Sequence, residues 1–582
     1  MPPHAKPAHP HLAPRAAPIA AVCAALAPTG GSGDALAASV ARVGCTLEVV
    51  LRSLLLAALL VSALAPACSN GSEGADLSDT VPDASLDADT TAPDAAPEIA
   101  GDATPDAAPD ADAEPDAPTE PPLTRPERGE PVSASDLATV TDQYLELLEQ
   151  TRYFQVVDER AHGWPQSDPA GRYWYATWWS GVKVEKSGGQ VTYRHSDDGA
   201  DNNGMRTAPI LQSVCYAELL WGGQDPLLRR LTRGMASWAL AMEREPAELP
   251  GALLCRAAYP ESVVSEDGGR TVFIDTSLDR PGIDGDASSY VHNPDNPYWG
   301  DIWIKNKRSK DDIGHMLQVL AYLPTCADAG SAGLKEDAAL VETLYAAWAR
   351  RVEDDDFRIV SVDADWQEFF PKQDLAFYVT LGGVECPATL ALRLYGRGDA
   401  GEIDCGQGLT DIDEAPGFKN DVGQILRSHH EAAAAQAERR GLPALARQLQ
   451  AGLAWRLDTV LDAREGPTPA TTPNDQDVAE LLLMSAAAGT PLTWRDVRFL
   501  HARIADAHAG FLTPAMAPHY RVFDSATPDG SYAFTPEAAG FFWRYLGAAL
   551  GTCASPYRNP TSKPVLDCDR VRAATARFNP AR

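Results

Sequence analysis

Leu220-Trp221-Gly222-Gly223-Gln224-Asp225-Pro226-Leu227 ends one helical pattern and starts the next. The pattern that begins near Arg206 stops at the two glycines, which adopt the left-handed backbone that closes a helix at no steric cost. Asp225 and Pro226 then open a second helix, since proline brings a preset φ and lacks only an N–H that the first turn leaves free anyway. Leu227, Leu231, Met235, Trp238 and Met242 follow on one face. Two helices joined by so short a turn form a hairpin.

The same unit recurs on both sides. Ser133 with Asp136 reads as a capping box before Leu137, Val140, Tyr144, Leu147 and Leu148, which predicts a helix over 135–152. Further helices are predicted at 310–323, 334–352, 387–396, 419–440, 443–463, 475–488, 493–508 and 536–551, eleven in all. Long connections rich in Gly, Pro, Asp and aromatics separate several of them, at 154–204, 246–308, 353–386 and 511–535, whereas a turn such as Gly441-Leu442 is short. This alternation resembles the (α/α)6 toroid of the six-hairpin glycosidases, where twelve helices form two concentric rings and the long loops gather at one mouth. The resemblance implies a mainly α, toroid-like domain over residues 131–582, with polysaccharide as its ligand. An α-solenoid is the structural alternative, and the absence of a fixed repeat period counts against it.

Upstream, Leu51-Arg52-Ser53-Leu54-Leu55-Leu56-Ala57-Ala58-Leu59-Leu60-Val61-Ser62-Ala63-Leu64-Ala65-Pro66-Ala67-Cys68 has the form of an export signal: a basic residue, an apolar run too short to span a bilayer, then small residues. It resembles the lipobox of bacterial lipoproteins, with Ala65 where leucine is preferred, and implies that Cys68 is acylated and becomes the mature N-terminus. Ser69 in place of an aspartate implies the outer membrane, facing the periplasm or the cell surface. The alternative is an ordinary secretory signal cut near Ala67, and export is common to both. Residues 1–50 are expected to lie upstream of the true start, at Val49, Val50 or Leu51.

Between Ser69 and Glu130 the chain holds seventeen acidic residues against two arginines, with repeated Asp-Ala-Pro units. Such a segment buries too little to offset the entropy of ordering, so residues 68–130 read as a disordered, lipid-anchored tether. The whole chain carries 81 acidic and 49 basic residues. That balance argues against nucleic acid, whose phosphates require clustered Lys and Arg, and makes a neutral carbohydrate polymer the easier partner. The other expected contact is the membrane, through the lipid, and the domain is expected to be a monomer.

Seven cysteines fall in the domain, and an exported compartment permits disulfides. Nearness in sequence favours Cys386 with Cys405, Cys553 with Cys568, and Cys215 with Cys255, leaving Cys326 free. No CxxC pair or HExxH helix is present, so neither a metal site nor a cofactor is expected. Asp284-Gly285-Asp286 resembles a calcium loop without the full spacing, and His429-His430 is expected to be exposed on a polar helix.

Trp174, Trp178 and Trp179 in the first long connection, and Trp299 and Trp303 in the second, present flat faces that stack on sugar rings or pack a core. Lys307-Arg308-Ser309-Lys310-Asp311-Asp312-Ile313-Gly314-His315 puts Asp311 and Asp312 on a first helical turn and His315 one turn on. The run is similar to those at inner-helix N-termini of toroid proteins. Its structural alternative is a cap by Ser309 completed by Asp312. Glycosidic cleavage needs two carboxyl groups about 5 to 9.5 Å apart. Asp311, Asp312, His315 and Glu368 are therefore the catalytic candidates, with Asp197, Asp198, Asp201, Asp365, Asp475 and Asp477 as other carboxylates near the predicted mouth. A lyase would instead draw on Tyr193, Arg194, His195, Asn202, Asn203 and Arg206. Three activities stay open: hydrolysis of a bound polysaccharide, a non-catalytic binding or scaffold role, and lyase chemistry.

Overall fold

The computed structural model describes residues 121–161, 182–195, 203–241, 252–254, 257–259, 262–264, 270–273, 290–296, 300–305, 310–355, 357–362, 368–369, 377–378, 382–403, 421–465, 475–522, 524–533 and 543–579. The export signal, Cys68 and the chain to residue 120 lie outside them. Among the described residues, no helix is long and apolar enough to cross a membrane.

The long helices fall where the apolar periodicity puts them, whereas four short ones, at 153–161, 517–520, 568–573 and 575–578, were not expected. α1 (Ala134–Gln150) is followed by the short α2 (Tyr153–Ala161), then by the hairpin of α3 (Asn203–Trp221) and α4 (Asp225–Ala241). α5 (Lys310–Ala329) and α6 (Ala332–Asp354) form a second hairpin, and α7 (Gly382–Gly396) stands alone. α8 (Asp421–Arg439) pairs with α9 (Pro443–Glu465), and α10 (Asp475–Ala487) with α11 (Trp494–Phe511). After the one-turn α12 (Ala517–Tyr520), α13 (Trp543–Leu546), a 3-10 turn (Gly547–Leu550) and α14 (Gly551–Ala554) make one continuous stretch, and α15 (Cys568–Ala573) and α16 (Thr575–Phe578) end the body.

Five of these close a ring. α3 packs on α5, α5 on α8, α8 on α10, α10 on α14 and the 3-10 turn, and those back on α3. All five run in one direction, because their contacts join equivalent heights. Near the N-terminal ends, Met205 N donates to Asp312 Oδ1 at 2.7 Å and Gly314 lies against Ser428. Lower down, Ser485 Oγ donates to Glu431 Oε1 at 2.9 Å, Cys215 is bonded to Cys326, and Gly551 lies against Tyr216. α1, α4, α6, α9 and α11 wrap the outside, with α4 on α6 and α11 on α1. This is an α/α toroid.

α7 departs from strict alternation. Leu394 O and Tyr395 O at its end accept from Arg440, just past the end of α8, both at 3.1 Å. Since α7 and α8 pack along their length, these consecutive helices run the same way. The antiparallel partner that a twelve-helix alternation places between them would fall at 397–420, and residues 404–420 lie outside the described ones.

Short turns close one end of the ring, the base. Gly222 and Gly223 take φ of +68° and +82° at the end of α3. Asp225, expected to serve only its own helix, also holds the next hairpin: its two oxygens accept from Ser331 N at 2.7 Å and Ser331 Oγ at 2.9 Å. The long connections, read from sequence as irregular, contain three small sheets. In the largest, Val182–Ser187 and Gln190–His195 pair antiparallel around Gly188-Gly189. Those two glycines have positive φ, which lets a two-residue turn follow the natural strand twist.

The cysteine pairing corrects one expectation and meets another. Cys553 is bonded to Cys568, as nearness suggested. Cys215 pairs with Cys326 across 111 residues, their Cα atoms 5.6 Å apart, so Cys326 is not free. The reason is that parallel inner helices bring positions remote in sequence to the same height. Cys386 is disulfide-bonded too, and Cys255 and Cys405 lie outside the described residues.

The body also begins earlier than residue 131. Residues 121–131 lie along the start of α11, where Arg125, 2 % exposed, pairs with Asp496 and Asp458. The last ten residues assigned to the tether therefore belong to the folded domain. Their two arginines, the only basic residues of that acidic stretch, face carboxylates of α9 and α11.

Nearby, His501 of α11 donates from Nε2 to Val565 O at 2.8 Å. Burial lowers its pKa below the ordinary 6.5. The unfolded chain thus takes up a proton before the folded one does, and this contribution to stability is lost as pH falls through the ordinary value. Denaturant midpoints measured from pH 8 to 5.5 should fall with pH in the wild type and less steeply in His501→Gln.

Candidate functional site

The inner helices carry polar side chains on faces that see only other helices. Asp312, His315, Gln318, His429, His430, Glu431, Gln436, Glu480 and Ser485 are all buried, none above 3 % exposed. Burying such groups costs several kcal/mol each unless they find hydrogen-bond partners, and His315, Glu480, Ser485, Glu431, Asp312, Gln318 and Gln436 find theirs on other helices.

Asp312, third residue of α5, is tied to another helix. It is fully buried, and its Oδ1 accepts from Met205 N in the first turn of α3. A carboxylate is well placed there, next to unpaired N–H groups at the positive end of a helix dipole. The neighbouring Gly204 makes room for it: a Cβ at that position would sit 3.0 Å from Asp312 Oδ1.

One turn further along α5, His315 Nε2 lies 3.0 Å from Glu480 Oε1 of α10. Helix α8 stands between α5 and α10 in the ring, so this pair spans the interior. Gln318 reinforces the same crossing, donating to Met484 O at 3.4 Å. On the α8 side, Gln436 Nε2 donates to Leu317 O at 2.9 Å.

Below this level an aromatic group fills the axis. Tyr216 and Tyr322 meet edge to face with centroids 5.8 Å apart, and Gln212 Nε2 donates to Tyr216 OH at 2.5 Å. Burial pushes both phenols well above the usual tyrosine range, with the charge of Glu431 adding a smaller push in the same direction. Tyr557, which donates to Ala321 O at 2.8 Å, is pushed up to about 12 by burial. None of the three ionises at neutral pH.

Of the catalytic candidates, the structure joins Asp312 and His315 into this buried network. Asp311 is the second residue of α5 and Glu368 lies in the strand Glu368–Phe369; their side chains are outside the described set, as is that of Trp303 in the strand Gly300–Lys305. Trp174, Trp178, Trp179 and Trp299 lie outside the described residues, as do Asp197, Asp198, Asp201, Asn202, Asp284, Asp286 and Asp365. Asp475 pairs with Arg503 of α11. Tyr193, Arg194 and His195 end the strand Gln190–His195, and Asn203 and Arg206 fall in the first turn of α3.

His429 and His430 are buried, 3 % and 0 % exposed, against the expectation of a solvated pair. The cause is the position of α8, which has α5, α7, α9 and α10 around it. The sequence reasoning missed Glu480 and Glu431. Glu480 carried a signal, since it interrupts Val478-Ala479 and Leu481-Leu482-Leu483-Met484, whereas Glu431 follows Arg427-Ser428-His429-His430 and did not stand out. A lone acid inside a helix that is otherwise apolar all round belongs to an interior contact. Among the described residues, no group of three or more His, Cys, Asp and Glu side chains has the arrangement of a metal site.

No family model matches the chain, and no curated protein does. Among solved structures, that of AaCel9A in complex with cellobiose-like isofagomine aligns at 11 % identity, covering 70 % of this chain and 83 % of that one with a TM-score of 0.35. The toroid assignment stands on the ring of parallel helices and not on this alignment.

Gly314 marks the closest approach of α5 to α8, where a Cβ would come within 2.7 Å of the Ser428 carbonyl carbon. Gly314→Ala should destabilise the domain by about 1–3 kcal/mol through overpacking. Adding Ser428→Ala should restore the melting temperature only in part, because it removes the nearest atom, Ser428 Oγ, and leaves the carbonyl carbon and Cβ of that residue at 2.7 Å.

Proposed function

We propose that this is an exported, lipid-anchored surface protein whose toroid binds polysaccharide at the end of the ring where the inner helices begin. The observation that carries the proposal is the shared direction of α3, α5, α8 and α10, which gathers their first turns at one end. The segments of chain leading into α3 and α5 contain Trp174, Trp178, Trp179, Trp299 and Trp303. Aromatic faces suit sugar rings, which offer apolar faces and hydroxyl edges. The leader ending at Cys68 and the disulfides of the body both fit an oxidising compartment. The likeness in fold to six-hairpin glycosidases supports the ligand class and no particular reaction.

Asp312, His315 and Glu480 are committed to holding the ring from inside. In a hydrolytic version of this function, the carboxyl groups that meet substrate are therefore Asp311, at the start of α5, and Glu368, ahead of α7. The test passes the purified chain over immobilised neutral polysaccharides while counting new reducing ends in parallel. Retention on at least one polymer is expected, weakened roughly two- to twelvefold in Trp303→Ala by loss of one stacking contact of about 0.5–1.5 kcal/mol. Release abolished by Asp311→Asn or Glu368→Gln assigns hydrolysis, and retention without release assigns a binding or scaffold role. Folded protein retained by none of the polymers removes carbohydrate from the account.

A further inference from the structure

The strap at residues 121–131 fixes where the tether leaves the body. Leu123 O accepts from Asn559 Nδ2 at 2.9 Å and Thr561 Oγ1 at 3.0 Å. Arg125 donates to Pro491 O at 3.0 Å and to Asp496 Oδ2 at 2.5 Å, and its second terminal nitrogen pairs with Asp458. Glu127 accepts from Trp494 N at 3.1 Å and pairs with Lys563 at 2.8 Å. Arg128 O accepts from Arg495 N at 2.8 Å, and Arg498 donates to Glu130 O at 2.7 Å and Pro131 O at 3.0 Å. Each residue from 122 to 131 is thus itself bonded to the body or adjacent to one that is, which a loosely attached linker would not show.

Most of these partners surround the turn from α10 to α11. That turn follows the C-terminal end of α10, while Glu480 and the first turns of the inner helices lie toward the other end. Arg503, which pairs with Asp475 at the start of α10, shows that α11 climbs back to that level. Nine residues of helix separate Trp494 from Arg503, about 14 Å of rise. The chain toward Cys68 therefore departs from the base.

We infer that in the anchored protein the base is the membrane-proximal end, so that the end where the inner helices begin faces away from the lipid. This rests on the proposed acylation of Cys68. The 52 residues from Ser69 to Glu120 join that exit point to the proposed anchor. A body attached at its base is held by that end, while its other end is left free to meet polymer in the medium. The strap keeps the exit point fixed instead of adding ten more residues of slack.

The test uses the full chain, purified in detergent from membranes and reconstituted in phosphatidylethanolamine/phosphatidylglycerol vesicles that carry an acceptor dye on a fraction of their headgroups. A donor dye is attached at Arg558→Cys, exposed beside the strap, or at Asp506→Cys, exposed one turn beyond Arg503. Higher transfer from position 558 than from 506 is expected. Equal transfer, or higher transfer from 506, with the protein bound to the vesicles overturns the orientation alone. Wild-type chain that stays off the vesicles as fully as Cys68→Ser overturns the anchoring reading and the orientation with it.

Discussion

The close approach of α5 to α8 constrains everything else in the ring. Gly314 lies against Ser428, and the alanines at 432–435 that follow on α8 are fully buried all round the helix. Side chains this small leave the interior no wider than the residues that fill it, so a histidine on α5 reaches a glutamate on α10 directly. Polar groups placed in so narrow a space need partners on other helices, as Asp312, His315 and Gln318 have. The same narrowness makes Asp312 and His315 parts of the frame.

Much of the fold was legible because the helices carry their own punctuation. Asp225-Pro226, Gly222-Gly223 and Gly441 bound elements within a residue or two of where the structure has them. What could not be read was which helices are neighbours. Cys215 and Cys326 are 111 residues apart and bonded, a pairing that only the parallel packing of α3 and α5 explains. The strands were missed for a different reason: Val182–Ser187 is a short alternating run, and short alternation among glycines and prolines is weak evidence until a partner strand is seen. Arg125 and Arg128 were read as incidental charges in an acidic tether. Two arginines among seventeen acids were instead the mark of the place where that stretch meets the body.

The candidate site was half legible. Asp312 and His315 were singled out by their spacing at a helix start, and they do belong to an interior network. The partner of Asp312 lies on α3, 107 residues earlier, and that of His315 on α10, 165 residues later, so no local pattern ties Glu480 to His315. A buried acid leaves a faint trace in sequence, one charge in an apolar stretch, and that trace names the residue without naming its mate.

The bond between Cys215 and Cys326 encloses α4 and the whole connection that follows it. A protease that nicks the chain between residues 242 and 309 would leave two polypeptides that cannot drift apart, each still contributing its share of the closed ring. Such a cut is a scar and not an amputation.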